Sequence, residues 1–392
     1  MNHHNKGKQP FFSRCLRAKR FFDVEGGYFL DSRDILIALH HIEGVGWKTI
    51  SKILTHYTVL TELLHISKLE WQSIGLKPQL IDRILIELQP DTIQNLKSKY
   101  THQHIGIMTI WDKDYPPLLK ETSQAPWVLY YKGDPTLLTQ PLLAIVGTRA
   151  PTHYGKKVAH EFAASLSGIG IGIVSGLARG IDSYAHIGAL QQRSKTIAVM
   201  GTAIDQLYPM ENKSLHEQIV KEGVVVSEYP IGTSMHVGMF PQRNRIIAGL
   251  SLGVIVVEAA HRSGSLITVD RALEENREIY AVPGPITSLK SMGTLHLIKQ
   301  GCKMVTSMED ITEDLQHLLP TYVSHSPVHA PLVLSVAEQT IYAFIEHESC
   351  TVDELHELSA YDIGYLHTIL LSLLSKKCIH QLPGFRYEKA RI

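Results

Sequence analysis

Arg243, Asn244 and Arg245 stand together inside the stretch FPQRNRIIAGL (240–250), and no acidic residue occurs anywhere from Met239 to Ser251. Guanidinium is planar, permanently charged and forked, which suits it to the oxygens of a phosphate. A surface helix ordinarily mixes charges of both signs, so this acid-free run points to a negative partner from outside. Related chemistry recurs in Gly147-Thr148-Arg149, in Ser175-Gly176-Leu177-Ala178-Arg179-Gly180-Ile181-Asp182, in Gly201-Thr202 and in Arg262-Ser263-Gly264-Ser265. Glycine admits close approach of the backbone to an anion, and small hydroxyls add donors. Each stretch alone has a plainer reading. Glycines serve tight turns after strands, Asp182 could simply cap or orient a helix, and Phe240 before a proline is either core or an exposed ring that stacks a base.

The elements between these stretches say how they meet. LLAIVG (142–147), IGIVSG (171–176), TIAVMG (196–201), VVVSEY (224–229), VIVVEA (254–259) and EIYAVPG (278–284) are apolar, β-branched runs separated by helical patterns. Near-continuous hydrophobic strands of this kind belong to a parallel sheet covered on both faces. The expected fold is therefore α/β, an extended Rossmann-like, doubly wound parallel sheet. Ligands of such sheets bind outside the carboxyl ends of the strands. Arg149, Arg179, Arg243, Arg245 and Arg262 all fall there, and their convergence predicts one phosphate-binding rim.

The type of phosphate ligand is narrowed by what is missing. A dinucleotide site wants G-x-G-x-x-G after the first strand and an acid ending the second, but the first loop reads GTR and the second strand ends Val174-Ser175. The glycines of 168–176 lead into a strand instead of out of one. The sequence holds no G-x-x-x-x-G-K-[ST], no paired carboxylates, no G-x-S-x-G elbow and no nucleophile with an identifiable base. An arginine- and glycine-lined groove without evident chemistry suits a backbone-tracking polyanion such as single-stranded nucleic acid. Lys+Arg 38 and Asp+Glu 38 cancel, so attraction for a polyanion must come from local clustering. Cys15, Cys302, Cys350 and Cys378 lie far apart without CxxC spacing, and the 22 histidines form no metal-binding pattern, which reads as reduced and metal-free. No cofactor is expected. The basic N-terminus lacks an apolar run long enough for a signal peptide or a membrane span, so a cytoplasmic protein is expected.

The flanks divide the rest. Residues 1–32 form a basic extension, and 33–95 read as a compact helical SAM/helix-hairpin-helix-like module. In that module Gly44-Val45-Gly46 either permits a tight turn or brings backbone N–H groups to a phosphate, and Ser73-Ile74-Gly75-Leu76 is a degenerate second copy. The sheet domain is placed at 96–315, with the Pro- and aromatic-rich stretch after residue 100 as an irregular connector or a short strand pair. A Pro-, Ser- and His-rich linker spans 316–332. Residues 333–392 fit a winged helix whose wing turns at Pro383-Gly384. The candidate recognition helix, 362–374, has no Lys or Arg, and 333–392 carries five basic against eight acidic residues. Such a surface repels phosphate, so this domain is expected to contact protein or modulate a dimer.

In order along 105–310, YPPLL, APWVLYYKGD, AIVGTR, SGLARGID, FPQRNRIIAGLS, VVEA, SGSLIT and AVPG resemble the DNA-processing protein A (DprA/Smf) family. That resemblance implies a dimerising, non-enzymatic protein that binds single-stranded DNA without sequence preference, protects incoming DNA and helps load the RecA recombinase during natural transformation. The family's DNA-binding positions would fall on Gly147, Thr148 and Arg149, on Ser175, Gly176, Arg179 and Gly180, on Phe240, Arg243, Asn244 and Arg245, and on Ser263, Gly264 and Ser265. One departure stands at Gly293-Thr294-Leu295-His296-Leu297-Ile298, where the family often carries an asparagine after the glycine and hydroxyl. The alternative is a nucleotide-binding hydrolase of the phosphoribohydrolase type, which shares this core, but SGSLIT lacks the catalytic glutamate run such an enzyme needs.

Overall fold

The computed structural model describes residues 21–22, 29–191, 196–315, 334–345, 349–376, 378–382 and 386–389. The expected linker, most of the basic extension and the Pro383-Gly384 turn lie outside them. The chain forms two compact units, Met1–Ser326 and Pro327–Ile392.

The first unit opens on an antiparallel pair, β1 (Phe21–Phe22) and β2 (Phe29–Leu30). Five helices follow: α1 (Ser32–His41), α2 (Trp47–His56), α3 (Lys68–Ser73), α4 (Pro78–Glu87) and α5 (Pro90–His102). Gly44 and Gly75 take φ of +91° and +76° in the turns before α2 and α4, a backbone that L side chains rarely adopt. The strands of the main sheet are β3 (Gly106–Thr109), β4 (Val128–Gly133), β5 (Leu142–Val146), β6 (Gly172–Ser175), β7 (Thr196–Val199), β8 (Val224–Ser227), β9 (Gly253–Val256), β10 (Glu278–Ala281) and β11 (Lys303–Met304). Their spatial order is β11-β10-β9-β5-β6-β7-β8-β4-β3. All six runs expected as strands are strands, and β5 to β11 pair in parallel. The stretch after residue 100 is the strand pair β3/β4, and β4 adds it antiparallel to β8, which makes the sheet mostly parallel.

Side chains alternate between the two faces of each strand, and the sheet uses both. From β5, Leu142, Ala144 and Val146 enter one core while Leu143 and Ile145 enter the other, and from β9 Val254 and Val256 separate from Ile255 in the same way. The second of these cores holds Phe162 and Leu166 of α7 (His153–Gly168) and Ala185 of α8 (Ile181–Gln191). Apart from α6 (Pro117–Lys120), the remaining helices of the unit are α9 (Lys213–Glu222), α10 (Met239–Leu250), α11 (Gly264–Glu274), α12 (Met292–Lys299) and α13 (Glu309–Leu315).

The helical module shares the first core with the sheet and has none of its own. Trp47 donates from Nε1 to the Ala125 carbonyl at 2.8 Å, and its ring stacks on Trp127 with centroids 5.7 Å apart. Tyr100 lies flat on Tyr130 of β4, centroids 5.0 Å apart, and its hydroxyl accepts from the Ile231 amide at 3.1 Å. Since Ile231 begins the segment leading to α10, the end of α5 helps set where the arginine-bearing helix starts.

The second unit has its own core, built on Ile341, Leu355, Leu366, Leu370 and Ile379. Its helices are α14 (Val336–Ile345), α15 (Val352–Ser359) and α16 (Ile363–Ser375), and its three-stranded antiparallel sheet runs β12 (Cys350–Thr351), β14 (Arg386–Lys389), β13 (Ile379–Leu382). Buried Glu338 accepts from Lys376 Nζ, Ser372 Oγ and the Ser335 amide at 2.6–2.7 Å. The Lys376 bond above all, then the Ser372 and Ser335 bonds, depress its carboxyl pKa to about 2. A depressed carboxylate stabilises the fold above its unfolded pKa and ceases to as pH falls through the folded value. This unit is therefore expected to lose about 1–2 kcal/mol between pH 5 and pH 2, a loss that Glu338→Gln removes. Circular dichroism of residues 327–392 checks it, because the four tryptophans all lie before residue 130.

Candidate nucleic-acid interface

At the carboxyl end of β5, Gly147 and Thr148 turn toward α7. The Thr148 amide donates to the Glu258 carbonyl at 2.7 Å, and the Thr148 carbonyl accepts from the Ile181 amide at 3.2 Å. Loops from β5, β6 and β9 are thereby tied together. Gly180 takes φ +81°, and a Cβ there would stand 2.4 Å from the Thr148 carbonyl oxygen, so the β6 loop can lie against the β5 loop only with glycine at this point. Leu177 also takes positive φ, +53°, and its fully buried side chain holds that backbone in place. Asp182, at the start of α8, accepts from the Gly176 and Ala178 amides at 3.1 and 3.3 Å. It therefore shapes the loop, and burial raises its pKa while the neighbouring Arg243 charge opposes that rise.

The FPQRNR motif occupies the first turns of α10, and the structure places its arginines differently from the rim expected of them. Arg243 is 5% exposed. Its guanidinium donates to the carbonyls of Gly176 (2.6 Å) and Val199, joining the ends of β6 and β7. Gly176 leaves room for it, since a Cβ there would meet the guanidinium at 2.6–2.8 Å. Burial lowers the Arg243 pKa to about 10, far enough above neutrality to keep the charge. Arg245 donates from Nη2 to both carboxylate oxygens of Glu228, just past β8, at 2.5 and 2.6 Å and from Nη1 to the Gln124 carbonyl at 2.7 Å. Neither is a free cation. The acid missing from Met239–Ser251 is supplied by Glu228 across the fold.

The other positions sort in the same manner. Ser175 is buried with its hydroxyl donating to the Ile145 carbonyl at 2.6 Å, a link between strands and not a ligand contact. Asn244 donates to the Gly264 carbonyl at 3.3 Å, which brings the Ser263–Ser265 loop beside α10. Ser263 and Ser265 share a hydroxyl bond of 2.8 Å where Ser263 caps α11. What remains open is Arg149 and Arg262, both exposed, Gly264, and a pocket lined by Arg149, Gly176, Ala178, Arg179, Tyr208, Pro209, Phe240 and one side of Arg243. Phe240 is half-buried beneath Tyr208, ring centroids 5.4 Å apart and inclined at 51°. Arg179 lies at this pocket too, paired with Glu211. Tyr208, Pro209 and Glu211 went unread in the sequence, where only Gly201-Thr202 marked the end of that strand.

This geometry offers an arginine-bearing, aromatic-lined edge where strand ends meet. Residues 106–316 match the family model described as DNA recombination-mediator protein A. Protein Smf of Synechocystis is 31% identical over 388 residues, covering 90% of this chain and 98% of that protein. The X-ray structure of DNA processing protein A from Streptococcus pneumoniae superposes with a TM-score of 0.63 at 38% identity, over 72% of this chain and 97% of the other. The DNA processing protein A of Helicobacter pylori, whose solved structure concerns a single-stranded DNA binding mode, reaches a TM-score of 0.50 at 30% identity over 56% of this chain and 97% of its own. With its family model matched across the whole sheet domain and a relative aligned nearly end to end, the chain belongs to the DNA recombination-mediator protein A (DprA/Smf) family, a family of mediators and not of enzymes.

Proposed function

We propose that the chain binds single-stranded DNA, without sequence preference, along the rim from Arg262 through Arg149 to the Tyr208–Phe240 pocket. The observation that carries this reading is exposed Arg149 lining an aromatic pocket, with exposed Arg262 beside the loop that Asn244 ties to α10, neither of them in an ion pair among the described residues, in a protein whose total charge is balanced. Cations that follow a backbone and rings that stack on any base are the two components of sequence-tolerant strand binding. A duplex keeps its bases stacked inside and cannot offer one to Phe240. In this role the chain protects incoming DNA and assists RecA loading during natural transformation, acting as a cytoplasmic homodimer. Residues 96–315 form the DNA-binding domain, the helices of 33–95 a SAM/helix-hairpin-helix-like buttress, and 333–392 a winged helix that contacts protein, its net negative charge being unsuited to phosphate. Among the described residues no helix is long and apolar enough to cross a membrane.

The test is fluorescence anisotropy of labelled oligo-dT and a matched duplex across a salt series. Strand-selective binding that weakens by about 0.7 log unit per decade of salt for each neutralised phosphate is expected. Absence of strand binding at low salt would overturn the reading.

A further inference from the structure

Arg179 reaches toward the pocket from the β6 loop, yet its guanidinium already holds a carboxylate. Glu211, from the segment that follows Tyr208 and Pro209, pairs with it, and both side chains are more than half exposed. The pairing is positioned by its neighbour. Asn212 donates from Nδ2 to the Leu177 carbonyl at 2.8 Å and to Ser183 Oγ at 3.0 Å, which fixes the 208–212 segment against the loop that carries Arg179. Tyr208 and Pro209 of the same segment line the pocket. The contact runs from Arg179 Nη2 to one carboxylate oxygen, Glu211 Oε1, and so takes up a charged donor that a phosphate oxygen would otherwise use.

We infer that Glu211 occupies the phosphate seat on Arg179 and so sets the strength of strand binding, a conclusion that rests on the rim being the DNA site. Strand and Glu211 compete for one guanidinium. DNA that displaces the carboxylate must first break the ion pair, and DNA that passes it binds with one cation fewer; Glu211 lowers affinity in both cases, and in the second it also removes one phosphate from the salt dependence. A solvent-exposed ion pair is weak enough to be displaced, so the contact attenuates binding without closing the site.

The experiment measures oligo-dT affinity and its salt slope for the full chain, Glu211→Gln, Arg179→Gln, the double variant and Arg149→Gln. Glu211→Gln is expected to bind about fivefold more tightly at low salt, with a slope steeper by up to about 0.7. In the Arg179→Gln background the same change should leave the slope where it was, because no guanidinium is released. Equal gains in both backgrounds would mean a general charge effect and overturn the inference, as would an unchanged Glu211→Gln. If Arg149→Gln still weakens binding in that case, the rim stands and only the role of Glu211 falls. If neither the full chain nor Glu211→Gln binds the strand, the inference and the proposed function fall together.

Discussion

Arg243→Ala is expected to destabilise the first unit by about 3 kcal/mol and to lower its melting temperature by roughly 5 °C, making it first a stability mutant and only then a DNA-binding one. Three losses coincide at this position. The Gly176 and Val199 carbonyls lose their charged donor, and a buried acceptor left without a partner costs its full desolvation. Asp182 keeps its two amide donors but loses the positive charge that offsets its burial. A void also opens at the ends of β6 and β7, against the loop on which Arg149 rests. Lysine is a poor substitute, since one ammonium on a flexible stem does not reproduce a planar fork spanning two carbonyls. Arg243→Lys should therefore recover only part of the stability. Thermal unfolding followed by tryptophan fluorescence decides it: a variant that melts within a degree of the parent while losing strand binding would make Arg243 a ligand and not a strut. The practical consequence is that replacing Arg243 and Arg245 together cannot isolate DNA contacts, because both changes strip internal partners as well.

The distinction between strut and ligand marks where the sequence stops being legible. The six sheet strands could be read because Val, Ile and Leu fill both faces of each, as in LLAIV at Leu142–Val146, where consecutive residues go to opposite cores. The loops could be read because glycine is required where a backbone or a side chain packs tightly against the turn, the Thr148 carbonyl at Gly180 and the Arg243 guanidinium at Gly176. Charge was different. Arg243, Arg245, Arg179, Arg149 and Arg262 look alike in the chain, and all five do lie at strand ends. Their partners stand 17 residues from Arg245, at Glu228, and 32 from Arg179, at Glu211, so no window around FPQRNR reveals them. Ser175 misleads in the same way, since a hydroxyl beside a phosphate loop and a hydroxyl tying two strands have one sequence signature. The β3/β4 pair was ambiguous for another reason. The segment between its strands carries Pro116, Pro117 and Pro126, and only the antiparallel register with β8 makes the pair part of the sheet.

Arg149 and Arg262 are the arginines left for DNA, and replacing both by glutamine should show the largest change in affinity. Each cation that neutralises a phosphate contributes about 0.7 to the slope of log affinity against log salt on a single strand. Losing two should flatten that slope by about 1.4, which amounts to a roughly 25-fold weaker complex at 0.1 M salt and a difference that vanishes toward 1 M. Oligo-dT and oligo-dC should lose alike, because phosphate contacts carry no base information. Stability should not move: both side chains are exposed, and surface substitutions of this kind usually stay within about 0.5 kcal/mol. That separates them from Arg243, whose replacement moves melting first. It also separates them from Arg179, whose charge is already answered by Glu211 and whose loss should flatten the slope by less than either free arginine does. An unchanged slope in a double variant that melts like the parent would place the DNA elsewhere on the molecule, whatever the sign of this rim.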